Sequence, residues 1–323
     1  MHLRALVRSF AATLLMGLCA QSALAAWPED RPIEILVGFA PGGGTDVMVR
    51  NMVPFLEKYL GGKTSMIVVN RPGAASEISN AYLARARPDG YTVAIVNVPA
   101  LVFVPMYKKA QYDPAKIQLV ARVLSDPTVL VVKRDSKYAS LKDAVADARR
   151  SGAPLSFGHN GIGTNGHLAL LQLQTATGVT LNEIPFNGTA QSKTALLGGH
   201  IDMAAMTTGE MPDRDSPQSA FRILAQLSAT RLGALSNVPT ATEQGVQAVM
   251  PAERGFAAPR GTEASIAARL QDAIEKTIAD PAFRAKASND APVLNFLPGS
   301  AWDKEIEARR PLYQQLARMV PKD

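Results

Sequence analysis

The sequence contains one cysteine, Cys19, and it lies in the apolar stretch near the N-terminus. Disulfides, iron-sulfur clusters, thiolate zinc sites and cysteine nucleophiles are therefore excluded from the body of the protein. Aromatic residues make up only 6% of the chain, and no Lys/Arg block is long enough to follow a phosphate backbone, which argues against nucleic acid as a partner. Enzyme fingerprints are missing as well. Gly42 and Gly44 would need a third glycine at position 47 for a dinucleotide-binding turn, and Val47 stands there. No Gly-Lys-Ser/Thr follows those glycines, and no Gly-x-Ser-x-Gly nucleophile elbow occurs, so a P-loop and a serine hydrolase of that type are both excluded.

What is present begins with an export signal. Arg4 and Arg8 form a basic segment, Phe10 to Ala20 an apolar one, and Ala23-Leu24-Ala25 a small-x-small cleavage site. The apolar run is about half the ~20 residues that span a bilayer, so residues 1–25 are expected to be a cleaved signal peptide and the product to be periplasmic. Removing them leaves 323 − 25 = 298 residues, enough for about two domains. The full chain has 34 basic and 28 acidic residues, and losing two arginines leaves an excess near +4. That mild excess suits an anionic ligand, as it also suits ordinary solubility.

Short β-branched runs alternate with helical patterns, which predicts an α/β protein with parallel sheets covered by helices. Strands are expected at Ile33 to Phe39, Met66 to Asn70, Tyr91 to Val98, Val129 to Lys133, Leu155 to Gly158, Leu181 to Pro185, Ile201 to Met206 and Ile223 to Ala229. Helices are expected after Asp46, with a kink at Pro54, over Ile78 to Arg87, and from about His167 to Thr177. Capping signals stand at Ser140 with Asp143, Thr240 with Glu243, Asp280-Pro281 and Ser300 with Asp303. Gly209 to Gln218 reads as an exposed loop.

Two glycine-rich loops carry the functional signal. Each follows a strand and opens a helix, where unpaired N–H groups and the positive end of the helix dipole form a cradle for a carboxylate or phosphate. The first is Pro41-Gly42-Gly43-Gly44-Thr45-Asp46, and the second runs from Gly158 to His167. Two such loops in separate halves suggest one ligand held between the halves.

The same residues resemble a known family. Arg31-Pro32-Ile33 through APGGGTD, Val69-Asn70-Arg71-Pro72-Gly73-Ala74 and Arg87-Pro88-Asp89-Gly90-Tyr91-Thr92 look like the substrate-binding proteins of tripartite tricarboxylate transporters, the Bug or TctC-like family. Further matches follow in order: Tyr112-Asp113-Pro114, Gly161 to Thr164 with His167, Pro185-Phe186-Asn187-Gly188, Leu197-Gly198-Gly199 with Ile201-Asp202, Val238-Pro239-Thr240, and Ala258-Pro259 with Gly261-Thr262.

The resemblance implies a two-lobed type II periplasmic-binding-protein fold, each lobe a mixed, mostly parallel sheet flanked by helices. Lobe one is expected at 26–124 with 229–323, and lobe two at 125–228. It implies a monomer that captures a small organic carboxylate for membrane transporter subunits, with no cofactor and no catalysis. Carried over, the ligand-binding residues are Ala40, Gly43, Gly44, Thr45, Asp46, Ala74 and Ser76 in the first lobe, and Gly161, Gly163, Thr164 and Asn165 in the second. Asn97, Asn187 and Thr207, at strand ends or turns, join them.

The chain departs from the family pattern at two places. Ala75-Ser76-Glu77 replaces small glycine-rich residues, and Glu77 is read as a solvated helix residue, or else as a cleft carboxylate that repels a second ligand carboxylate. Glu253-Arg254 replaces a tryptophan-containing approach to Ala-Pro, and Arg254 is read as a surface ion pair, or else as reaching the far end of a ligand. Asp46 is open to both a capping and a binding role. His159 and His167 lack a third ligand and metal spacing. Two other functions stay open: an exported sensor feeding a signalling kinase, and a nicotinamide-dependent oxidoreductase, for which Asn70-Arg71 would end the second strand near a 2′-phosphate.

Overall fold

The apolar run at Ile33 forms β1 (Ile33–Val37), a strand whose residues are buried apart from Glu34. Such a run needs cover on both faces, and it receives neighbours on both edges. β1 pairs in parallel with β2 (Met66–Asn70) and with β3 (Thr92–Val98). The computed structural model describes residues 27–211, 216, 218–287 and 289–321, so the expected signal peptide lies outside the described residues.

A single long strand joins the two halves. β4 (Ile117–Lys133) pairs antiparallel with β9 (Pro251–Pro259) from Ile117 to Pro127. From Thr128 onward it pairs instead with β7 (Met203–Thr207) and, from Val129, with β8 (Phe221–Gln226), so its partners change between Pro127 and Thr128. β9 also closes on β3, and β10 (Leu294–Pro298) adds to β4. On the second side, β5 (Leu155–His159) lies parallel between β6 (Leu181–Pro185) and β7.

Nine α-helices among the described residues cover these strands: α1 (Gly44–Leu60), α2 (Glu77–Leu83), α3 (Ala100–Tyr107), α4 (Leu141–Ser151), α5 (Asn165–Thr177), α6 (Thr189–Leu197), α7 (Ala264–Ala279), α8 (Pro281–Lys286) and α9 (Gly299–Ala317). Met48, Met52 and Leu56 of α1 pack with Leu270 and Ile274 of α7 on Ile33, Ile35 and Val37. A second core gathers Leu130, Phe157, Met203 and the Leu168 to Leu171 turn of α5. It also takes in Phe103 of α3, Met250, and Tyr313 and Leu316 of α9, so segments distant in the chain complete the second half. Among the described residues no helix is long and apolar enough to cross a membrane.

Several local expectations change. β4 extends twelve residues upstream of the expected Val129 start, and β9, α3 and α6 were not foreseen. Glu253 and Arg254 interrupt the apolar reading of β9, and β-branched residues with Pro105 disguise α3 as a strand. α1 carries Pro54 in its interior, as the pattern predicted. Ser140 accepts from the Asp143 N–H at 3.1 Å, and Asp280 caps α8 with Pro281 behind it. The Thr240–Glu243 capping box forms in both directions but opens only a 3-10 turn, which ends at Gly245. Ser300 lies inside α9, which instead starts at Gly299, where the helix backbone abuts Leu119 and Val120 of β4. At the start of the expected Gly209 to Gln218 loop, the 3-10 turn Thr208–Glu210 extends into it and Met211 is buried.

Candidate functional site

A cavity of roughly 450 Å³ lies between the two halves. The carboxyl ends of β1, β3, β5 and β6 deliver the chain to it, the position where ligand sites form in open α/β sheets. Four helices begin at its wall: α1 after Gly43, α3 after Pro99, α5 after Thr164 and α6 after Gly188. None of the four has a side-chain cap. Their first-turn N–H groups therefore remain to be satisfied from the cavity, with the positive dipole ends behind them. Sequence reasoning identified two of these ends. The other two follow strand-terminal Pro99 and the Asn187-Gly188 turn, and only the latter left a visible signal.

Of the expected binding residues, Ala40, Gly43, Gly44, Thr45, Asn97, Thr164, Asn165 and Asn187 line the cavity. Asp46, Ala74, Ser76, Gly161, Gly163 and Thr207 do not. The Asp46 carboxylate faces back into its own loop, accepting from Gly42 N at 2.9 Å, Asn70 Nδ2 at 2.8 Å and Arg50 Nε at 3.0 Å. Burial alone raises its pKa, and the hydrogen bonds from Arg50, Gly42 and Asn70 outweigh burial, so the carboxyl lies below its ordinary value. It holds the first loop in shape, while Gly43 is the N-cap.

Ala74, Ala75 and Ser76 turn left-handed, and Ser76 is buried against Gly38 at the end of β1. The N–H of Gly161 donates to His159 Nδ1 and that of Gly163 to His167 Nδ1, each at 3.2 Å, so these amides are already occupied. Thr207 N–H is likewise spent on Glu210 Oε2 at 2.9 Å. Both histidine rings are buried, and their Nε2 atoms lie 2.9 and 3.4 Å from one Glu183 oxygen. Burial pushes His167 down to about 4, with the Glu183 carboxylate opposing and His159 adding to the effect. The pair thus braces the second loop.

Thr164 Oγ1 sits 2.6 Å from both Asn160 Oδ1 and the Gly161 carbonyl. Asn165 donates to Thr128 Oγ1 at 2.9 Å, tying the start of α5 to the point where β4 changes partners.

Both departures from the family pattern take a course the sequence did not suggest. Glu77 is neither solvated nor in the cleft: it is buried, accepting from Lys108 Nζ at 2.7 Å and Gln111 N at 2.6 Å. Arg254 is no surface residue. It is 4% exposed and lines the cavity, 3.8 Å from Glu210. Glu210, Lys193, Gly188 and Thr189 were missed; Glu210 accepts from Thr189 Oγ1 at 2.8 Å, and its carbonyl accepts from Lys193.

Comparison with known proteins agrees with this architecture. A Cupriavidus necator protein described as the UPF0065 protein in the gbd 5′ region is 32% identical over 277 residues, covering 85% of this chain and 83% of its own. The solved periplasmic binding protein BugD superposes with a TM-score of 0.79 at 26% identity, covering 90% of this chain and 97% of its own. The R. palustris protein Rpa4515, solved with adipate, gives a TM-score of 0.81 at 25% identity over 90% of this chain and 97% of its own. The profile of the tripartite tricarboxylate transporter family receptor matches residues 48–295, and the chain belongs to that family of TctC and Bug solute-binding receptors, with their type II periplasmic-binding-protein fold.

Proposed function

We propose that the protein is a periplasmic solute receptor that closes on a small organic carboxylate and hands it to the membrane subunits of a tripartite tricarboxylate-type transporter, acting as a monomer and performing no chemistry. The observation that carries this reading is the meeting of four uncapped helix N-termini, two from each side, around one cavity. An anion there would receive several N–H donors at once without a full counter-charge. Adipate in the solved relative supports a carboxylate as the guest.

In this reading Ala40, Gly43, Gly44, Thr45 and Asn97 contact the ligand from the first side, and Asn165 and Asn187 from the second; Thr164, also on the cavity wall, holds the shape of the loop that carries Asn165. The lobes are 26–124 with 229–323, and 125–228. The change of β4 partners after Pro127 falls close to that boundary and supports it. Ligand touching both sides favours the closed arrangement, and the closed shape is what a membrane partner would read.

The test is a thermal-shift screen of the mature protein against mono-, di- and tricarboxylates, followed by calorimetric titration. A ligand that binds only the folded state raises the unfolding temperature. Saturable binding of at least one carboxylate, without its conversion, is the expected result. Failure of every carboxylate to bind would sink the reading.

A further inference from the structure

The cavity contains a charged group that helix ends alone do not require. Arg254 is 4% exposed, yet its guanidinium makes no hydrogen bond to any described residue, and its Nε is a buried donor without a partner. An arginine carries a charge and five donors; the carboxylates of Glu210 and the buried Asp126 oppose the charge through space, but a guest has to supply the hydrogen-bond acceptors. The nearest carboxylate oxygen, Glu210 Oε1, stands 3.8 Å away, beyond hydrogen-bond reach. Glu210 is held there by Thr189 Oγ1 and by the Thr207 N–H, which anchor it to the second side.

The position of the guanidinium matters as much as its lack of partners. A side chain at Gly44 would meet Arg254 Nη1 and Nη2 at 3.9 Å, so the arginine stands at the opening of α1, beside that helix's uncapped N–H groups. Across the antiparallel β3–β9 pair its register partner is Asn97, whose Oδ1 is also buried without a partner. Neutral donors from α1 and the charged fork of Arg254 thus address the same volume, and among the described residues Glu210 is the one acidic side chain on the cavity wall.

We propose that Arg254 determines which solutes this receptor takes: its guanidinium grips an anionic group of the ligand at the opening of α1, and the neighbouring Glu210 opposes that grip. The inference rests on the carboxylate-receptor reading above and deepens it. A bidentate guanidinium adds strength and angular selectivity that backbone amides lack. The Glu210 charge, fixed by its own hydrogen bonds, repels an anion seated on Arg254 and keeps affinity moderate, as release to a partner requires.

The experiment titrates succinate, malate and adipate into the wild-type protein and into Arg254→Gln, Arg254→Lys and Glu210→Gln, with ligand-free thermal unfolding of each as a control of folding. Arg254→Gln is expected to weaken the best of the three ligands by about 30-fold, and Arg254→Lys by less. Glu210→Gln, whose amide oxygen can still accept from the Thr207 N–H while the Thr189 hydroxyl turns to accept from the amide N–H, is expected to tighten binding several-fold. Opposite signs for the two neutralising changes are the signature of the proposal, because a merely structural ion pair would lose function on removal of either partner. Should Arg254→Gln fail to fold, the Lys variant and Glu210→Gln decide. A wild type that binds while Glu210→Gln binds equally or more weakly, or while folded Arg254→Gln binds unchanged, overturns the proposal alone. A wild type that binds none of these or any other carboxylate overturns the receptor reading with it.

Discussion

Glu253 and Arg254 are consecutive residues of β9, and they are buried on opposite faces of it. Arg254 faces the cavity, whereas Glu253 faces α9 and accepts from Arg122 Nη1 at 2.8 Å, Arg309 Nη2 at 2.6 Å and Trp302 Nε1 at 3.0 Å. One strand therefore carries a cavity group on one side and the anchor of the C-terminal helix on the other.

From this arrangement Glu253→Ala should destabilise the protein by about 3 kcal/mol, because it strands Arg122, itself buried, together with Arg309 and the indole. Arg122 keeps Glu305 and Asn295, which limits the loss. Urea unfolding of the ligand-free protein reads the change, and a shift under 1 kcal/mol would show that the network contributes little.

The left-handed turn at 74–76 stores strain in residues with side chains. Ala74 has φ 46°, Ala75 φ 53° and Ser76 φ 73°, conformations that glycine adopts freely. Ala74 is exposed, so Ala74→Gly relieves roughly 1–2 kcal/mol of strain, against about 0.4–1 kcal/mol of added unfolded-state freedom. Net stabilisation of about 0.5–1 kcal/mol is expected in denaturant titration. Ser76→Gly should not share it, since it empties a packed contact with Gly38.

His167 sets a pH limit. Its folded pKa is about 4 against an ordinary 6.5, so between these values the unfolded chain binds more protons than the folded one. Stability is fully present above about 6.5 and falls as pH drops toward 4, by up to roughly 3 kcal/mol. Glu183 lies below its ordinary 4.5 chiefly through the His159 hydrogen bond, so its own contribution is lost only at lower pH. Unfolding midpoints measured at pH 8 and pH 5 should differ for the wild type and converge in His167→Gln. Equal pH slopes in the two proteins would remove His167 as the cause.

The parts of the fold that were legible in the sequence are those with local causes. β2 and β6 matched to the residue, β2 as a β-branched run and β6 as a short segment bounded by Gly178 and the Asn187-Gly188 turn. The Asp280-Pro281 helix start and the Ser140 cap were equally visible, since each depends on residues within three positions. β9 and the upstream length of β4 were not, because pairing across more than a hundred residues makes them regular, and α3 was not, because its β-branched residues and Pro105 read as a strand. The site followed the same division. The first loop was visible in its own glycines, and the family resemblance carried Ala40, Gly43, Gly44 and Thr45 to the site, whereas Glu210 and Lys193 reach the cavity through the placement of β7 and α6.

The two threonines of the loops should respond differently to removal, and the difference separates contact from support. Thr45 lies in the first turn of α1, lines the cavity and is 5% exposed; no hydrogen bond links its hydroxyl to a described residue. Thr45→Ala should weaken carboxylate binding by about 5- to 10-fold and leave unfolding nearly unchanged, as expected for a lost ligand hydrogen bond. Thr164 Oγ1 is instead committed to Asn160 and Gly161 of its own loop. Thr164→Ala should therefore lower stability by about 1 kcal/mol and weaken binding only as the loop loosens. Paired titration and unfolding measurements on both variants check this, and equal effects on binding with no loss of stability in either would place Thr164, like Thr45, in direct contact with the ligand.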